Sequence, residues 1–381
     1  MPPPNRISIG ITVGTQPPLG RIGTLLRIAR VLRFDVAWTI DHFLGFFPRS
    51  IWDKEFSWMA SPGSSPHAFF DYQVLLGYLA GRSGSRMQLG VGVTESIRRH
   101  PVLIAQAFMT LAHATKQPPI LGIGAGEAEN VVPYGLDFSK PVSRLEEAMQ
   151  IIRICFDSDG PFDFDGEHFQ LRNALMDLQP PQGRKPELWV AAHQSRMLAL
   201  TGRYADGWYP TFPFSTAEYE SKLGEIRAAA KAAHRDPAAI VPGWQAFTVL
   251  GRTERAARKL LEAKGIRFTA LLAPAYTWNA YGVDHPMGDG FRGIVDFVPQ
   301  NYTKAELNHA IDAVPIDLLA EATLWGTPAV VTESLHDYVD AGLRHLVLQP
   351  ASGLVSKRDA LYSLRAMVSI LRKLRRRGVA D

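Results

Sequence analysis

The sequence predicts a single α/β domain, spanning residues 1–381, with the fold of a (β/α)8 TIM barrel that carries insertions. Short apolar runs alternate with segments whose apolar residues recur at helical spacing, a pattern that predicts parallel strands joined by helices. An open doubly wound sheet and a closed barrel are the two ways to arrange such units, and about eight evenly spread units favour the barrel. Since 46% of the 381 residues are hydrophobic, the chain can fill a core of that size.

The strand candidates follow one another along the chain, and helical segments separate them. Apolar residues from Ile22 to Ala29 have helical spacing behind the first strand, and His100-Pro101 begins the helix behind the third, because proline suits a first helical turn. Leu145 and Met149 belong to a clear helix face behind the fourth strand. The eight candidates are residues 7–13, 36–40, 87–93, 119–124, 188–192, 208–211, 246–250 and 345–348.

Two segments interrupt this alternation. Residues 162–171 contain Asp165-Gly166 between alternating residues, which predicts a β-hairpin. Residues 265–312 show no clean strand–helix unit and are rich in glycine, proline and aromatic residues. A segment of that length favours a functional insertion or lid over a plain connection.

Composition and charge exclude several classes of protein. The formal net charge is +4 and no basic face with interleaved aromatic residues is evident, so we expect no nucleic-acid partner. Apolar runs are too short for a membrane span, the amino terminus has no signal-peptide pattern, and the single cysteine cannot form an internal disulfide. We therefore expect a cytoplasmic protein. The histidine spacing matches no metal motif, so no metal is expected.

Two polar residues, Asp41 and His42, end the second predicted strand, at the end of the barrel where active sites lie. A carboxylate beside an imidazole can fix the ring's tautomer for acid–base chemistry. A polar pair that only caps the strand would give the same pattern. Phe46 follows in a dense run of aromatic residues, which favours either buried core or an apolar substrate pocket.

A glycine-rich turn, Gly-Ile-Gly-Ala-Gly-Glu, follows the fourth strand at residues 122–127. Its spacing differs from the G-x-G-x-x-G of dinucleotide-binding proteins, and no helix is expected directly after it. Gly124 and Gly126, with Ala125 between them, would let a flat ring approach the backbone, while Glu127 enters the pocket. A turn with a surface glutamate is the simpler alternative.

Two further strand ends could hold a ligand. Gly92 and Val93 leave room at the end of the third strand. After the fifth strand a helix begins, and its first amide groups suit a phosphate, although Ser195 could merely cap that helix. The residues concerned are Ala192, His193, Gln194, Ser195 and Arg196.

Three passages together resemble the luciferase-like oxidoreductases that use the deazaflavin coenzyme F420. They are residues 38–42 (Trp-Thr-Ile-Asp-His), residues 99–107 with Arg-His-Pro and Ala-Gln-Ala, and residues 121–127 with Asn130. Within that superfamily the chain is most similar to the phthiodiolone ketoreductases of mycobacterial lipid synthesis. This similarity rests on Pro-Arg-Ser at residues 48–50 and Gly-Val-Asp-His-Pro-Met-Gly at residues 282–288, among others.

The resemblance implies a barrel, often a homodimer, with F420 in its mouth and a cis peptide between Gly92 and Val93. It implies that Asp41 and Asn130 lie against the F420 ring and that the fifth-strand end, from His193 to Arg196, holds its phosphate tail. Relatives that act on sugar phosphates or small alcohols have tryptophan where this chain has Phe46. We therefore expect an apolar substrate at Phe46 rather than glucose 6-phosphate.

The expected reaction is the transfer of hydride from C5 of reduced F420 to a ketone of an apolar, lipid or polyketide-like substrate. His42 is expected to donate the proton, because imidazoles exchange protons near neutral pH, and Glu127 to orient the substrate oxygen. An FMN-dependent monooxygenase of the same fold is the first alternative. A non-catalytic cofactor-binding protein is the second.

Overall fold

The computed structural model describes residues 6–84, 86–211 and 215–377, and these contain eleven strands. In chain order the strands are β1 (Ser8–Thr12), β2 (Val36–Thr39), β3 (Gln88–Thr94), β4 (Ile120–Ile123), β5 (Phe162–Asp165), β6 (Gln170–Ala174), β7 (Glu187–Val190), β8 (Gly207–Trp208), β9 (Val241–Leu250), β10 (Leu324–Gly326) and β11 (His345–Pro350).

Helices separate most of these strands. They are α1 (Leu19–Val31), α2 (Tyr72–Ala80), α3 (Pro101–Ala114), α4 (Ala128–Val131), α5 (Pro141–Asp157), α6 (Ser195–Tyr204), α7 (Thr216–Ala232), α8 (Glu254–Leu261), α9 (Lys264–Ala270), α10 (Ala275–Asn279), α11 (Lys304–Asp312), α12 (Ile316–Glu321), α13 (Pro328–Asp340) and α14 (Lys357–Arg377). In the described part of the chain, none of them combines the length and hydropathy that crossing a bilayer requires.

Eight parallel strands close into a ring, which confirms the predicted barrel. Their order is β1, β2, β3, β4, β7, β8, β9, β11, and β11 pairs again with β1. β10 lies outside this ring, beside the carboxyl end of β9. The sequence pattern missed β10 because three residues are too few to show a period.

The predicted strand boundaries agree with the observed ones to within three residues except at β9, which begins at Val241 rather than at residue 246. The sequence pattern did not predict the first half of β9 because it contains Pro242 and Gly243, and both residue types are depleted in strands. The predicted hairpin is confirmed, because β5 and β6 pair antiparallel around a four-residue loop that begins at Gly166.

The segment predicted as an insertion, residues 265–312 and called the inserted segment below, contains α9, α10 and α11 and packs in an apolar cluster that also includes Val249 of β9 and Leu318 of α12. Phe268, Trp278 and Phe297 are fully buried in this core. Ile51 and Phe56, from the loop after β2, pack in the same cluster. Most of the aromatic residues after β2 therefore pack against the inserted segment. This agrees with the first of the two interpretations of this run, that it belongs to a buried core.

Trp38 fills the interior of the barrel and connects several strands. Its ring stacks on Tyr209 with centroids 4.5 Å apart, and its Nε1 donates to Nε2 of His345 at 3.1 Å. Burial lowers the pKa of His345 to about 3, so this imidazole is neutral and its Nδ1 can donate to Oγ of Ser8. The barrel axis is thus packed with aromatic rings whose polar atoms are paired.

Replacing Gly10 with alanine should destabilise the barrel, since a Cβ atom there would lie 2.6 Å from Nε1 of Trp38. We expect a loss of about 1–3 kcal/mol in the free energy of unfolding, because the buried ring has no room to move. Gly77→Ala is the matched control: its Cβ meets open space in the interior of α2, where alanine is favoured over glycine. Urea denaturation measures both, and a Gly10→Ala protein as stable as the wild type would contradict the described packing.

Candidate active site

A cavity of about 610 Å³ lies at the carboxyl ends of the barrel strands, where the active sites of (β/α)8 enzymes are found. One part of its wall comes from the ends of β3 and β4 and the turn after β4. Another part comes from the inserted segment, through Phe291, Ile294 and Val295. The volume is in the range of small-molecule sites, roughly 300–1,000 Å³.

Most residues predicted from the sequence line this cavity. Three do not: His42 lies directly behind the wall, Ser195 is exposed at the start of α6, and Ala192 is fully buried. The carbonyl of Ala192 accepts a hydrogen bond from Nε1 of Trp208 at 2.8 Å. The residues in the wall are Asp41, Phe46, Gly92, Val93, Gly124, Ala125, Gly126, Glu127, Asn130, His193, Gln194 and Arg196.

The end of β3 and the turn after β4 contribute several residues with small side chains or none to the cavity wall. The peptide between Gly92 and Val93 is cis, as the resemblance predicted. Gly126 has a φ of +92°, in the left-handed region that glycine favours. Contrary to expectation, a helix does follow this turn directly: α4 begins at Ala128 and has only four residues, too few to show helical periodicity.

Behind this wall, His42 lies between two glutamates that α4 and its preceding turn supply. Its Nδ1 is 3.1 Å from Oε1 of Glu129, and its Nε2 is 3.8 Å from Oε2 of Glu127. Phe46 packs edge-to-face on the imidazole with ring centroids 4.8 Å apart. The side chain of His42 is 11% exposed, so its ring is held by these neighbours and has little access to water.

Asn130 determines which nitrogen of His42 carries the proton. Its Oδ1 accepts from the backbone N–H groups of Phe43 at 2.7 Å and Leu44 at 3.2 Å. Its Nδ2 must therefore face His42, where it lies 2.9 Å from Nδ1. Because an amide nitrogen can only donate, Nδ1 is the acceptor, and a neutral His42 carries its proton on Nε2, toward Glu127.

Glu127 is one of the acidic residues in the cavity wall, and it holds a proton more strongly than an ordinary glutamate. Burial raises its pKa to about 7, the positive charge that His42 can carry lowers it, and the neighbouring Glu129 raises it. Its side chain remains 28% exposed toward the cavity. Glu127 can therefore both reach a ligand and exchange a proton near neutral pH.

Glu129 is fully buried, and sequence reasoning did not identify it. Its Oε1 contacts His42 and Asn130, whereas its Oε2 is buried and has no hydrogen-bond partner. Burial raises the pKa of this carboxyl well above its ordinary value, against the opposing effects of Asn130 and Arg98. Oε1 of Glu129 also accepts from Nδ2 of Asn130 at 3.3 Å, so this carboxyl helps to hold the amide that determines the tautomer of His42.

His42, Glu127 and Glu129 also form the one group of potential metal ligands in the described residues, with ligand atoms within 4.8 Å of one another. The spacing of these residues along the chain does not suggest a metal site. Asn130 Nδ2 faces the Nδ1 of His42 and excludes that nitrogen as a ligand. The arrangement is accordingly interpreted as an acid–base group.

Asp41 lines the cavity, yet its carboxylate is already engaged by the chain itself. Its Oδ2 accepts from Oγ1 of Thr94 at 2.7 Å, Nη2 of Arg98 at 2.8 Å and Nη1 of Arg99 at 3.1 Å. Arg98 also pairs with the buried Glu95. Asp41 therefore fixes the segment after β3 against the end of β2. Sequence reasoning missed Glu95 and Arg98, because an irregular segment shows no period that marks its buried face.

The fifth-strand end, now the carboxyl end of β7, faces the opposite side of the cavity. Burial lowers the pKa of His193 to about 4, so this ring is neutral, and its Nε2 accepts from the N–H of Thr211 at 3.1 Å. Arg196, in the first turn of α6, is 60% exposed and lies 3.4 Å from Glu146. Gln194 approaches Tyr276 of the inserted segment at 3.4 Å. A polar, accessible helix start thus borders the cavity.

Comparison with known proteins adds three findings. Residues 4–345 match the model of the luciferase-like monooxygenase family. The chain is 39% identical over 335 residues to a phthiodiolone/phenolphthiodiolone dimycocerosates ketoreductase of Mycobacterium tuberculosis, covering 87% of this chain and 88% of that protein. It is 28% identical over 319 residues to an F420-dependent glucose-6-phosphate dehydrogenase of Kineococcus radiotolerans, covering 82% of each.

Among solved structures, a riboflavin lyase crystallised with modified FMN and riboflavin superimposes with a TM-score of 0.69. The match covers 99% of this chain and 93% of that protein at 15% identity. At this level of identity the similarity concerns the fold.

We expect Glu129→Gln to gain stability relative to the wild type as the pH rises. The folded-state pKa of Glu129 is raised, so its stabilising contribution is complete below the ordinary value of about 4.5 and is lost as the pH rises toward the folded-state value. Glutamine has the same shape and cannot ionise. The difference in Tm, variant minus wild type, should therefore increase between pH 5 and pH 8.

The exposed Glu225 on α7 supplies the control, since Glu225→Gln changes the same atoms outside the site. A Tm difference for Glu129→Gln that stays constant across this pH range would show that the buried carboxyl is ionised in the folded protein.

Proposed function

The chain belongs to the luciferase-like family, and from that premise we propose that it is an F420-dependent oxidoreductase that reduces a ketone in an apolar substrate. The observation that carries the proposal is Glu127, a protonatable carboxyl in the wall of a cavity whose adjoining wall is glycine-rich backbone. The names of the ketoreductase and of the F420-dependent dehydrogenase among the relatives support the reaction and the cofactor.

The residues of the cavity suit a flat, tricyclic ring with a phosphate tail. Gly124, Ala125 and Gly126 present backbone and a single methyl group, which lets a ring lie close to the chain. Arg196 and the first amide groups of α6 provide a phosphate site at the cavity's border. When bound in reduced form, F420 supplies the hydride for the reaction.

Reduction of a ketone also requires a proton on its oxygen, and the geometry favours Glu127 as the donor. Glu127 lies in the wall, whereas His42 lies behind it with Nε2 3.8 Å from Oε2 of Glu127. With a pKa of about 7, a substantial fraction of Glu127 is protonated near neutral pH. This reverses the roles expected from the sequence, which gave the proton to His42.

In this arrangement His42 does not face the substrate; its role is to stabilise Glu127 from the side away from the cavity. Asn130 keeps the proton of His42 on Nε2, which faces the carboxylate that remains after Glu127 has given its proton away. The N–H of Nε2 stabilises that carboxylate electrostatically.

The cavity also supports an apolar substrate. Phe291 and Ile294 of the inserted segment line it, and Phe247 of β9 lines it while remaining 40% exposed. Phe46 occupies the wall beside the acid–base group. Apolar side chains thus form part of the wall of the cavity that Glu127 lines, which supports binding of an apolar ketone there.

An FMN-dependent monooxygenase is the second candidate. The description of the matching family model and the FMN found in a structural neighbour favour it. A backbone-lined wall accepts either tricyclic ring, so the fold alone does not distinguish F420 from FMN as the cofactor.

The cytoplasmic location, the homodimer and the action of residues 265–312 as a lid stay predictions.

Titration of the purified protein with F420 and, separately, with FMN tests the cofactor, with ligand fluorescence as the signal. We expect tight, saturable binding of F420 and weak binding of FMN. Reduced F420 should then be oxidised by methyl ketones, with kcat/KM rising with chain length because more apolar surface is buried. Preference for FMN together with oxygen consumption would replace the proposal by the monooxygenase, and binding of neither cofactor would refute both.

The pH dependence of ketone reduction tests Glu127 as the proton donor. A donor with a pKa of about 7 predicts a kcat/KM that is maximal on the acidic side and falls as the pH rises through 7. Glu127→Gln should lower kcat/KM by roughly 10²–10⁴-fold and abolish this fall, while the affinity for F420 stays unchanged.

The variant His42→Gln distinguishes Glu127 from His42 as the proton donor. If it abolishes the pH dependence and Glu127→Gln retains it, His42 is the donor.

A further inference from the structure

A second cavity, of about 560 Å³, lies at the opposite end of the barrel, next to the start of β2 and the carboxyl end of α1. Arginines dominate its wall, and Asp35 is the acidic residue among them. The arginines are Arg6, Arg27, Arg30, Arg33 and Arg86. The proposed reaction uses none of these residues.

Asp35 does not neutralise this cleft. Its Oδ1 lies 2.8 Å from Nη2 of Arg6, and its Oδ2 lies 2.7 Å from Nη2 of Arg375, so its charge is already matched. Among the described residues, no carboxylate lies within ion-pairing distance of the four remaining arginines. A concave surface with uncompensated positive charge attracts anions.

Part of the cleft is fixed before any ligand arrives. Nη1 of Arg30 donates to the carbonyl of Arg82 at 2.8 Å, and its guanidinium lies against Gly84, where a Cβ atom would be 2.7 Å from Nη2. A side chain at residue 84 would therefore displace Arg30. An arginine held in this way loses little conformational freedom when it binds an anion.

Arg33 adds an independent observation. Its φ is +60°, in the left-handed region that favours glycine, and its carbonyl accepts from Nη2 of Arg375 at 2.6 Å. Glycine would fit this backbone better, yet the chain has an arginine whose side chain lines the cleft. Such an outlier indicates a role for the side chain beyond the fold.

We propose that this cleft binds the phosphate group of a phosphate-bearing ligand. Guanidinium groups match phosphate oxygens in geometry and charge, and four arginines without carboxylate partners line this cleft. Val31 lines the same cleft and is 81% exposed, which offers an apolar contact to the remainder of the ligand.

Calorimetric titration of the full-length protein with inorganic pyrophosphate tests this site. Arg33→Gly is the decisive variant, because glycine suits the backbone there: we expect its Tm to rise while its affinity for pyrophosphate falls roughly tenfold, the loss of one charge-assisted contact. Arg27→Gln should weaken binding to a similar extent. A change in affinity together with a gain in stability cannot arise from damage to the fold.

Two control variants locate the binding. Arg172→Gln removes an exposed arginine of the β5–β6 hairpin that pairs with Asp165, and should leave affinity unchanged. Arg196→Gln changes the border of the other cavity. If Arg196→Gln abolishes pyrophosphate binding and Arg33→Gly does not, the phosphate site is at the cofactor end and the inference is wrong, as it is if pyrophosphate does not bind.

Sedimentation with vesicles identifies the source of the phosphate. Binding to phosphatidylglycerol vesicles but not to phosphatidylcholine vesicles, lost in Arg33→Gly, would assign the cleft to an anionic lipid headgroup. Pyrophosphate binding without vesicle binding would assign it to a soluble phosphorylated molecule.

Discussion

The carboxamide of Asn130 organises the site, because its two ends have different partners. The oxygen accepts from two backbone N–H groups of the loop after β2, and the nitrogen faces His42. One side chain thereby joins the segments that follow β2 and β4 and selects the tautomer of the imidazole. An aspartate here could keep the backbone contacts but would offer no donor to His42. The orientation of His42 toward Glu127 follows from this constraint.

Around this link the ionisable groups fall into two sets. Asp41 and Glu95 are buried carboxylates, and Arg98 and Arg99 supply the opposite charges: Arg98 pairs with both carboxylates and Arg99 with Asp41. Glu127 and Glu129, by contrast, share one imidazole and have no arginine or lysine within ion-pairing distance among the described residues. Burial then favours their neutral forms. The ion pairs of Asp41 fix the strand ends in position, whereas Glu127 and Glu129 tend to keep their protons.

Much of the fold could be predicted from the sequence, because buried parallel strands form continuous apolar runs and helices show a period. The sequence predicted all eight strands of the ring. It did not predict β10, because that strand is short, or the first half of β9, because it contains a proline and a glycine. In the site, residues at strand ends were found because a barrel brings those ends together. Glu129 and Arg98 were not, since only the three-dimensional structure shows that a glutamate of one helical turn is buried behind a histidine 87 positions earlier.

The inserted segment packs around Phe268, Trp278 and Phe297, in a cluster that includes the loop after β2 and Val249 of β9 but is separate from the aromatic rings on the barrel axis. Proteins often open locally in units that correspond to separately packed parts of the structure. We therefore expect the wall that Phe291 and Ile294 contribute to exchange its amide hydrogens faster than the ring of strands. Opening of the cavity entrance and unfolding of the barrel would then be two separate events.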